Sequence, residues 1–353
     1  MFSGSYLKED VEFLLKVIDI ELIDVQKKES LIQNKTKHYS EMLSLEYEPS
    51  KEYLDIFFKL FELNKQQFAK DMLSFGYNLS LKKDFVLVSL VRAGTPIGVL
   101  LKRILKNVFN KEVKHYSISI IRDREIDENA LKYIIKNNPN KEIVFIDGWT
   151  GKGVINRELK KFIKLFNQKY NQNVSDKLYV VSDIAKVADY CVTNEDYLIP
   201  SSALNSTISG LVSRSVLNSD YISKNDFHGC KFYKEFQKKD LSLWFIDEIM
   251  KIIKTLKIEK KPFITNQKSD LDYLKKLQIK FEIDDINFIK PGIGEATRVL
   301  LRRVPYMVFV KDKNSIYVQH IIQLTKEKNV TLIEDKNLKY NALSIIKQLK
   351  EKK

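Results

Sequence analysis

The sequence predicts an α/β protein: a parallel sheet covered by helices, with a helical N-terminal extension before it and a small α/β/α sandwich after it. Three observations predict this. The runs FVLVSLV (85–91), EIVFID (142–147) and KLYVVSD (177–183) have the nearly unbroken hydrophobicity of strands buried on both faces. Amphipathic stretches with helical apolar spacing alternate with them. The chain has 353 residues, beyond the size at which one core stops growing, and the alternation restarts at smaller scale after Pro262, so two domains are expected, 1–255 and 262–353.

Residues 6–80 read as the helical extension, from the spacing in VEFLLKVIDIELI (11–23) and YLDIFFKLFELNKQQFAKDML (53–73). The polar stretch 28–50 between them, with Pro49 near its end, reads as a loop. The core, about 84–250, then alternates strand 85–91, helix 97–109, strand 113–121, helix 128–138, strand 142–147, helix 154–170 and strand 177–183. A closing helix at 249–261 runs into a charged linker. In the second domain KPFIT (261–265) and KFEI (280–283) read as strands, with helices at 269–277, 294–304 and 315–328, strands at 306–310 and 330–334, and a final helix from Asn341.

A charged fraction of 30% and the lack of any apolar run near the ~20 residues that span a bilayer exclude a membrane span. The N-terminus lacks the basic-then-apolar order of a signal peptide, so a cytoplasmic location is expected. Cys191 and Cys230 are too few for a disulfide framework or a zinc site. Of the net charge of +14, residues 256–353 hold +9, from 21 Lys and Arg against 12 Asp and Glu, so the excess that attracts polyanions sits in the second domain.

Two turns carry chemistry. In EIVFIDGWTGKGVI (142–155) a strand delivers Asp147 to the carboxyl end of the sheet, and Gly148, Trp149, Thr150, Gly151, Lys152 and Gly153 lead to a helix whose positive end would face the same place. The bland alternative is an ordinary strand-to-helix turn; three glycines, a threonine, a lysine and a leading aspartate favour an anion cradle. In VSLVRAGTP (88–96), Arg92, Ala93, Gly94 and Thr95 form the turn after another strand, where a guanidinium and exposed backbone can hold pyrophosphate.

Together these turns resemble the type I phosphoribosyltransferases, particularly the uracil-specific branch, over roughly residues 85–182. The resemblance implies a phosphoribosyltransferase-like fold in which Asp147 meets ribose hydroxyls, Thr150 to Gly153 hold a 5-phosphate, Arg92 to Gly94 hold pyrophosphate, and Mg²⁺ sits on that pyrophosphate. Gly148 stands where many members carry a second acid, and Lys152 where a small residue is common. The flanking segments FSGSY, HYSEM, YSISIIRDREID, TNEDYLIPSSALNSTISGLVSRSV and DFHGCKFY closely resemble the StiP family of bacterial tellurite-resistance and stress gene neighbourhoods, across residues 2–250. Within them Arg122 and Arg124 follow a strand and could close over an anion. The small-polar run Asn205, Ser206, Thr207, Ser209, Gly210 and Ser213, ending in Arg214, reads equally as a second anion or base pocket or as a capped helix start with a solvated face.

StiP-like proteins are commonly labelled cysteine proteases, which makes Cys191 and Cys230 candidate nucleophiles, with His38, His115 or His228 as base. Buried or incidental thiols are the competing reading. The run KPGIGEATRVLLRRVPYMVFVKD (290–312) resembles the Pelota-type RNA-binding domain. The resemblance implies RNA contact at Gly294, Glu295 and Arg298, with Arg302 and Arg303 adding charge at helical spacing. The expectation is therefore a phosphoribosyltransferase-like enzyme fused to an RNA-binding domain, binding a phosphorylated sugar or nucleotide and forming a possible homodimer. The alternatives are a cysteine protease and a non-catalytic sensor of nucleotide and RNA.

Overall fold

A computed structural model of the chain describes residues 2–348 except Tyr47 and Asp270; Met1 and 349–353, which include the terminal KEKK tract, lie outside the described residues, as does the side chain of Arg302. Six strands form the main sheet: β1 (Glu12–Phe13), β5 (Phe85–Leu90), β6 (His115–Ile118), β9 (Glu142–Thr150), β10 (Leu178–Asp183) and β11 (Tyr190–Thr193). Their order is β1-β6-β5-β9-β10-β11 and every pairing is parallel. All six residues of β5 are buried, as the unbroken run FVLVSL requires of a strand covered on both sides. Its side chains divide between the faces. Phe85 and Leu87 join α2 (Lys51–Ser80), α3 (Gly94–Phe109) and α6 (Ser242–Ile253), while Val86, Val88 and Leu90 join α4 (Glu128–Asn137) and α5 (Val154–Tyr170).

The extension before the sheet is only half helical. The stretch 11–23, expected as a helix, instead supplies β1 and two further short strands. Of these, β2 (Lys16–Val17) pairs with β12 (Gly229–Cys230), and β3 (Leu22–Ile23) pairs with β4 (Leu43–Ser44). Its partners lie far along the chain, so local apolar spacing could not reveal them. Conversely, part of the expected loop is α1 (Val25–Gln33), whose N-cap Asp24 accepts hydrogen bonds from the backbone of Gln26 and Lys27. After β6, β7 (Ile120–Ile121) and β8 (Glu125–Ile126) pair as an antiparallel hairpin.

The second unit has a four-stranded sheet of order β13-β16-β14-β15, from β13 (Ile289–Pro291), β14 (Pro305–Val310), β15 (Thr331–Glu334) and β16 (Ala342–Ile346). The helices α7 (Leu271–Lys280), α8 (Ile293–Arg302) and α9 (Gln319–Glu327) accompany it. The final helix expected from Asn341 is the inner strand β16, with all five residues buried between β13 and β14. A run as short as ALSII fits either period, and the slot between two strands decides it. KPFIT and KFEI form no strands; Ile264 makes only an isolated bridge to Cys191. The two units share hydrophobic core, since Ile293, Ala296 and Leu300 of α8 belong to the same buried cluster as Leu198, Ile199 and Ala203.

Candidate anion-binding cleft

From β5 the chain passes through α3 to β6 on one side, then through α4 to β9 on the other. The connections that leave β5 and β9 therefore run to opposite sides, which makes the ends of these two strands the switch point of the sheet, the crevice at which parallel α/β folds collect ligands. The two turns singled out in the sequence, 91–94 and 147–153, are those loops. A Cβ on Gly94 would lie 2.5 Å from the Ile146 carbonyl oxygen and 3.3 Å from the Asp147 Cα, so the turns touch and only glycine fits.

Arg92 is held in place by Glu46 (3.0 Å), the Asn205 amide oxygen (2.8 Å) and the Val212 carbonyl (3.2 Å). Glu46 in turn accepts from the Ser206 backbone (2.7 Å) and hydroxyl (2.6 Å). Burial works to raise the Glu46 pKa, but Arg92 and the Ser206 donors outweigh it and hold it below its usual value. Asp147 is half-buried and its pKa is pushed up to about 7 by burial; the Gly148 N–H (2.8 Å) and Arg298 oppose the rise and Glu295 adds to it.

The second turn differs from the expected open cradle. β9 continues through Gly148 and Trp149 to Thr150, which leaves only Gly151 to Gly153 as the turn. Thr150 accepts from the Gly153 N–H (2.9 Å), and the Lys152 ammonium donates to the carbonyls of Ile286 and Ile289, both at 2.9 Å. A Cβ on Gly151 would stand 3.2 Å from the Pro291 carbonyl oxygen. The second unit thus covers this turn. Burial lowers the Lys152 pKa to about 7, with Lys290 acting the same way.

The helix start expected to present Gly294, Glu295 and Arg298 outward to RNA instead faces the first unit. Asp196 accepts from the Ile293 N–H (2.8 Å) and the Asn341 N–H (2.7 Å), capping α8 from the first unit. Arg298 lies over the Trp149 ring, and a Cβ on Gly294 would lie 3.8 Å from that indole. Glu295 pairs with Arg298 at 2.9 Å. Burial would raise the Glu295 pKa, yet Arg298, Lys290 and Lys152 bring it down to about 2. Arg303 pairs with Glu29 at 2.9 Å, and the Arg302 side chain lies outside the described residues. Sequence reasoning missed the inversion because it depends on which surface α8 meets.

Arg122 lies over the Tyr39 ring and bonds Asp123, whereas Arg124 pairs with Glu41 at the surface and takes no part in the cleft walls described. Ser206, Thr207 and Ser209 are buried, which replaces the solvated helix start considered for them; Ser209 donates to the Asn205 carbonyl (2.9 Å) and the Thr207 carbonyl accepts from the Leu241 N–H. They brace Arg92. Arg214 donates to the carbonyls of Tyr39 and Met42. Lys28, Glu29, Glu46 and Lys290 were not legible as site residues: the first three sit in the stretch 28–50 that reads as a polar loop, and Lys290 precedes the glycines and charges singled out in the run 290–312.

Both thiols are fully buried, and burial pushes each pKa up to about 12. His228 faces Ser119 (2.7 Å) and Glu125 (3.2 Å), and His115 faces Ser89 and the Asp10 carbonyl, so neither imidazole is bonded to sulfur. His38 bonds Ser40. No Cys–His dyad is assembled among the described residues. Two open surface grooves, about 480 and 430 Å³, lie beside Lys160 and Asn167 and beside Lys311 and Asn341. No helix is long and apolar enough to cross a membrane among the described residues.

A parallel sheet with a charged crevice at its switch point, roofed by a second sheet-and-helix unit, defines a two-part α/β protein with a candidate anion site between its parts. The profile of the family described as "Tellurite-like stress resistance cysteine protease StiP" matches residues 4–250, and that of the "PELOTA RNA binding domain" matches 268–348. The chain belongs to the StiP family and carries a C-terminal Pelota-type domain. A relative from Acinetobacter baylyi, "Cysteine protease StiP", is 39% identical over 367 residues, covering 99% of this chain and 95% of its own length. Among solved structures, the hypoxanthine phosphoribosyltransferase of Trypanosoma cruzi aligns at 14% identity and a TM-score of 0.26, over 39% of this chain and 82% of that one. The same enzyme in complex with the product IMP aligns at 12% and 0.27, over 49% and 91%. Superpositions this partial carry no functional inference.

Proposed function

We propose that this protein is a phosphoribosyltransferase-like enzyme that takes phosphoribosyl pyrophosphate, or a related phosphorylated sugar or nucleotide, into the crevice between Arg92 and Asp147. One observation carries the reading: two loops from adjacent strands, one bearing a braced guanidinium and one a carboxylate, meet at the switch point of a parallel sheet. Arg92 would hold the pyrophosphate and Asp147 the ribose hydroxyls. Attack by a nitrogen nucleophile on the anomeric carbon forms the new C–N bond as the C–O bond to pyrophosphate breaks, with the electron pair leaving on pyrophosphate. Asp147, with a pKa near 7, is suited to hold the proton the nucleophile gives up. The work of the protein is positioning and charge stabilisation.

Mg²⁺ would enter this scheme as part of the substrate, on pyrophosphate oxygens, where it would supply charge neutralisation. The Pelota-type domain brings RNA as a second partner, and the basic C-terminal third of the chain supports it. The protease name of the relative attaches to a thiol nucleophile, and the burial of Cys191 and Cys230 speaks against either in that role.

Calorimetry of the full chain with phosphoribosyl pyrophosphate and Mg²⁺ tests the reading. Saturable binding with release of pyrophosphate on adding a nucleobase is the expected result. Binding without turnover turns the protein into a sensor, and no binding removes the transferase reading.

A further inference from the structure

Helix α1 points its charges the wrong way for a surface helix. Among its nine residues the buried ones are Lys28 and Glu29, while its apolar residues Val25, Leu31 and Ile32 are only half-buried. A helix turns charge inward only where partners repay the lost hydration. Glu29 has such a partner in Arg303 of the second unit (2.9 Å). Lys28, at 8% exposure, has no hydrogen-bond or ion-pair partner for its ammonium among the described residues. Burial lowers its pKa to about 6, and Arg214, Arg303 and Arg92 act the same way while Glu29 opposes them.

The same situation recurs across the cleft. Lys290 on β13 has no bonded partner for its ammonium among the described residues; burial lowers its pKa, with Arg303, Arg122 and Arg298 acting the same way and Glu295 opposing them. Arg303 leaves its buried Nε without a partner. The Tyr39 ring carries Arg122 on one approach (5.5 Å) and Arg214 on another (5.2 Å), which ties the two ends of the patch together. Six cations (Lys28, Arg92, Arg122, Arg214, Lys290, Arg303) thus converge from both units, and the carboxylates bonded to them are Glu29, Glu46 and Asp123. Gathering more cations than carboxylates in low dielectric costs free energy in the empty protein, and a bound polyanion would return it.

We propose that Lys28, Lys290 and Arg303 form a phosphate-binding patch that extends the Arg92 end of the crevice, so that the C-terminal unit supplies part of the small-molecule site and the ligand carries more than one phosphate group. The inference rests on the reading of the crevice as a phosphorylated-sugar site and adds that the site is incomplete without the second unit. Phosphate oxygens would accept from the two free ammonium groups and the free Arg303 Nε.

The test uses the full chain with Lys28→Met and Lys290→Met, and Lys28→Arg as the charge-retaining control. Affinity is measured by calorimetry for Mg²⁺–phosphoribosyl pyrophosphate, for inorganic pyrophosphate and for a short oligoribonucleotide, and thermal unfolding is followed without ligand. Each Met variant is expected to lose about tenfold in affinity for both small phosphates, the loss of one charge-assisted hydrogen bond. Each should unfold at the same temperature as the parent or higher, and Lys28→Arg should bind nearly as the parent does. Unchanged phosphate affinity, or a Met variant that unfolds earlier, overturns the proposal in favour of a structural role for these lysines. So does a loss confined to the oligoribonucleotide. Pyrophosphate binding that depends on both lysines, with no binding of the sugar pyrophosphate, sinks the transferase reading and leaves the patch standing; a parent protein that binds neither small phosphate sinks both.

Discussion

The guanidinium of Arg298 lies over the indole of Trp149, 5.4 Å from the ring centroid, and joins the second unit to the strand end two residues beyond Asp147. A desolvated cation–π contact contributes on the order of 1–2 kcal/mol. With the Lys152 bonds to two carbonyls and the Asp196 cap, it makes the junction between the units a wall of the crevice rather than a tether.

Asp196 is the junction's most exposed weakness to mutation. Its carboxylate accepts from the backbone of Ile293 and Asn341 across the interface. Asp196→Ala should destabilise by about 1–2 kcal/mol, the usual cost of a lost cap. Limited proteolysis should then cut the linker between α6 and α7 faster than in the parent. If the RNA surface includes the start of α8, the same variant should bind RNA more tightly, because docking and RNA compete for Gly294 to Arg298.

Gly94→Ala should disrupt the crevice, since the new Cβ meets backbone at 2.5 Å. Overpacking of this kind costs about 1–3 kcal/mol. Gly98→Ala, whose Cβ would press the His115 ring instead, is the matched control away from the crevice. Binding of phosphoribosyl pyrophosphate should vanish in the first and survive in the second; equal loss in both would reduce Gly94 to a packing position.

Asp147 makes stability depend on pH. Its pKa is raised from 3.8 to about 7 by burial, so between those values the folded chain keeps a proton that the unfolded chain has released. Unfolding free energy therefore falls as pH rises through this window, and the contribution is fully present below about pH 4. Asp147→Asn should flatten that slope, measured by thermal unfolding from pH 4.5 to 7.5.

Cys191 and Cys230 should resist thiol reagents in the native protein, because both are buried and neither is thiolate near neutrality. Reaction of both only on unfolding is expected. Ser substitution of the pair should leave turnover intact; abolished activity in a folded double variant would restore the protease reading.

Most of the sheet was legible because the runs at 85–90, 142–147 and 178–183 are apolar on both faces, a pattern that needs no knowledge of the partner strand. The turns at Arg92 and Asp147 were legible for a related reason: glycine next to charge at a strand end has few other uses. The first 50 residues were not, since β1, β2 and β3 exist only through pairing with segments far along the chain, and β16 became a strand only because β13 and β14 leave a slot between them.

The sequence by itself determined the α/β class, the two-part organisation, and the identity of the loops that meet at the crevice, because hydrophobic periodicity and turn chemistry are local. Only the tertiary structure decided that Lys152 faces the second unit while Thr150 bonds within its own turn, that Glu295 and Arg298 face Asp147, and that Lys28, buried, and Lys290, half-buried, have no bonded partner for their ammonium groups among the described residues. Those outcomes depend on which surfaces dock and how much water they exclude, and a charged residue in a linear string carries no mark of the dielectric it will occupy.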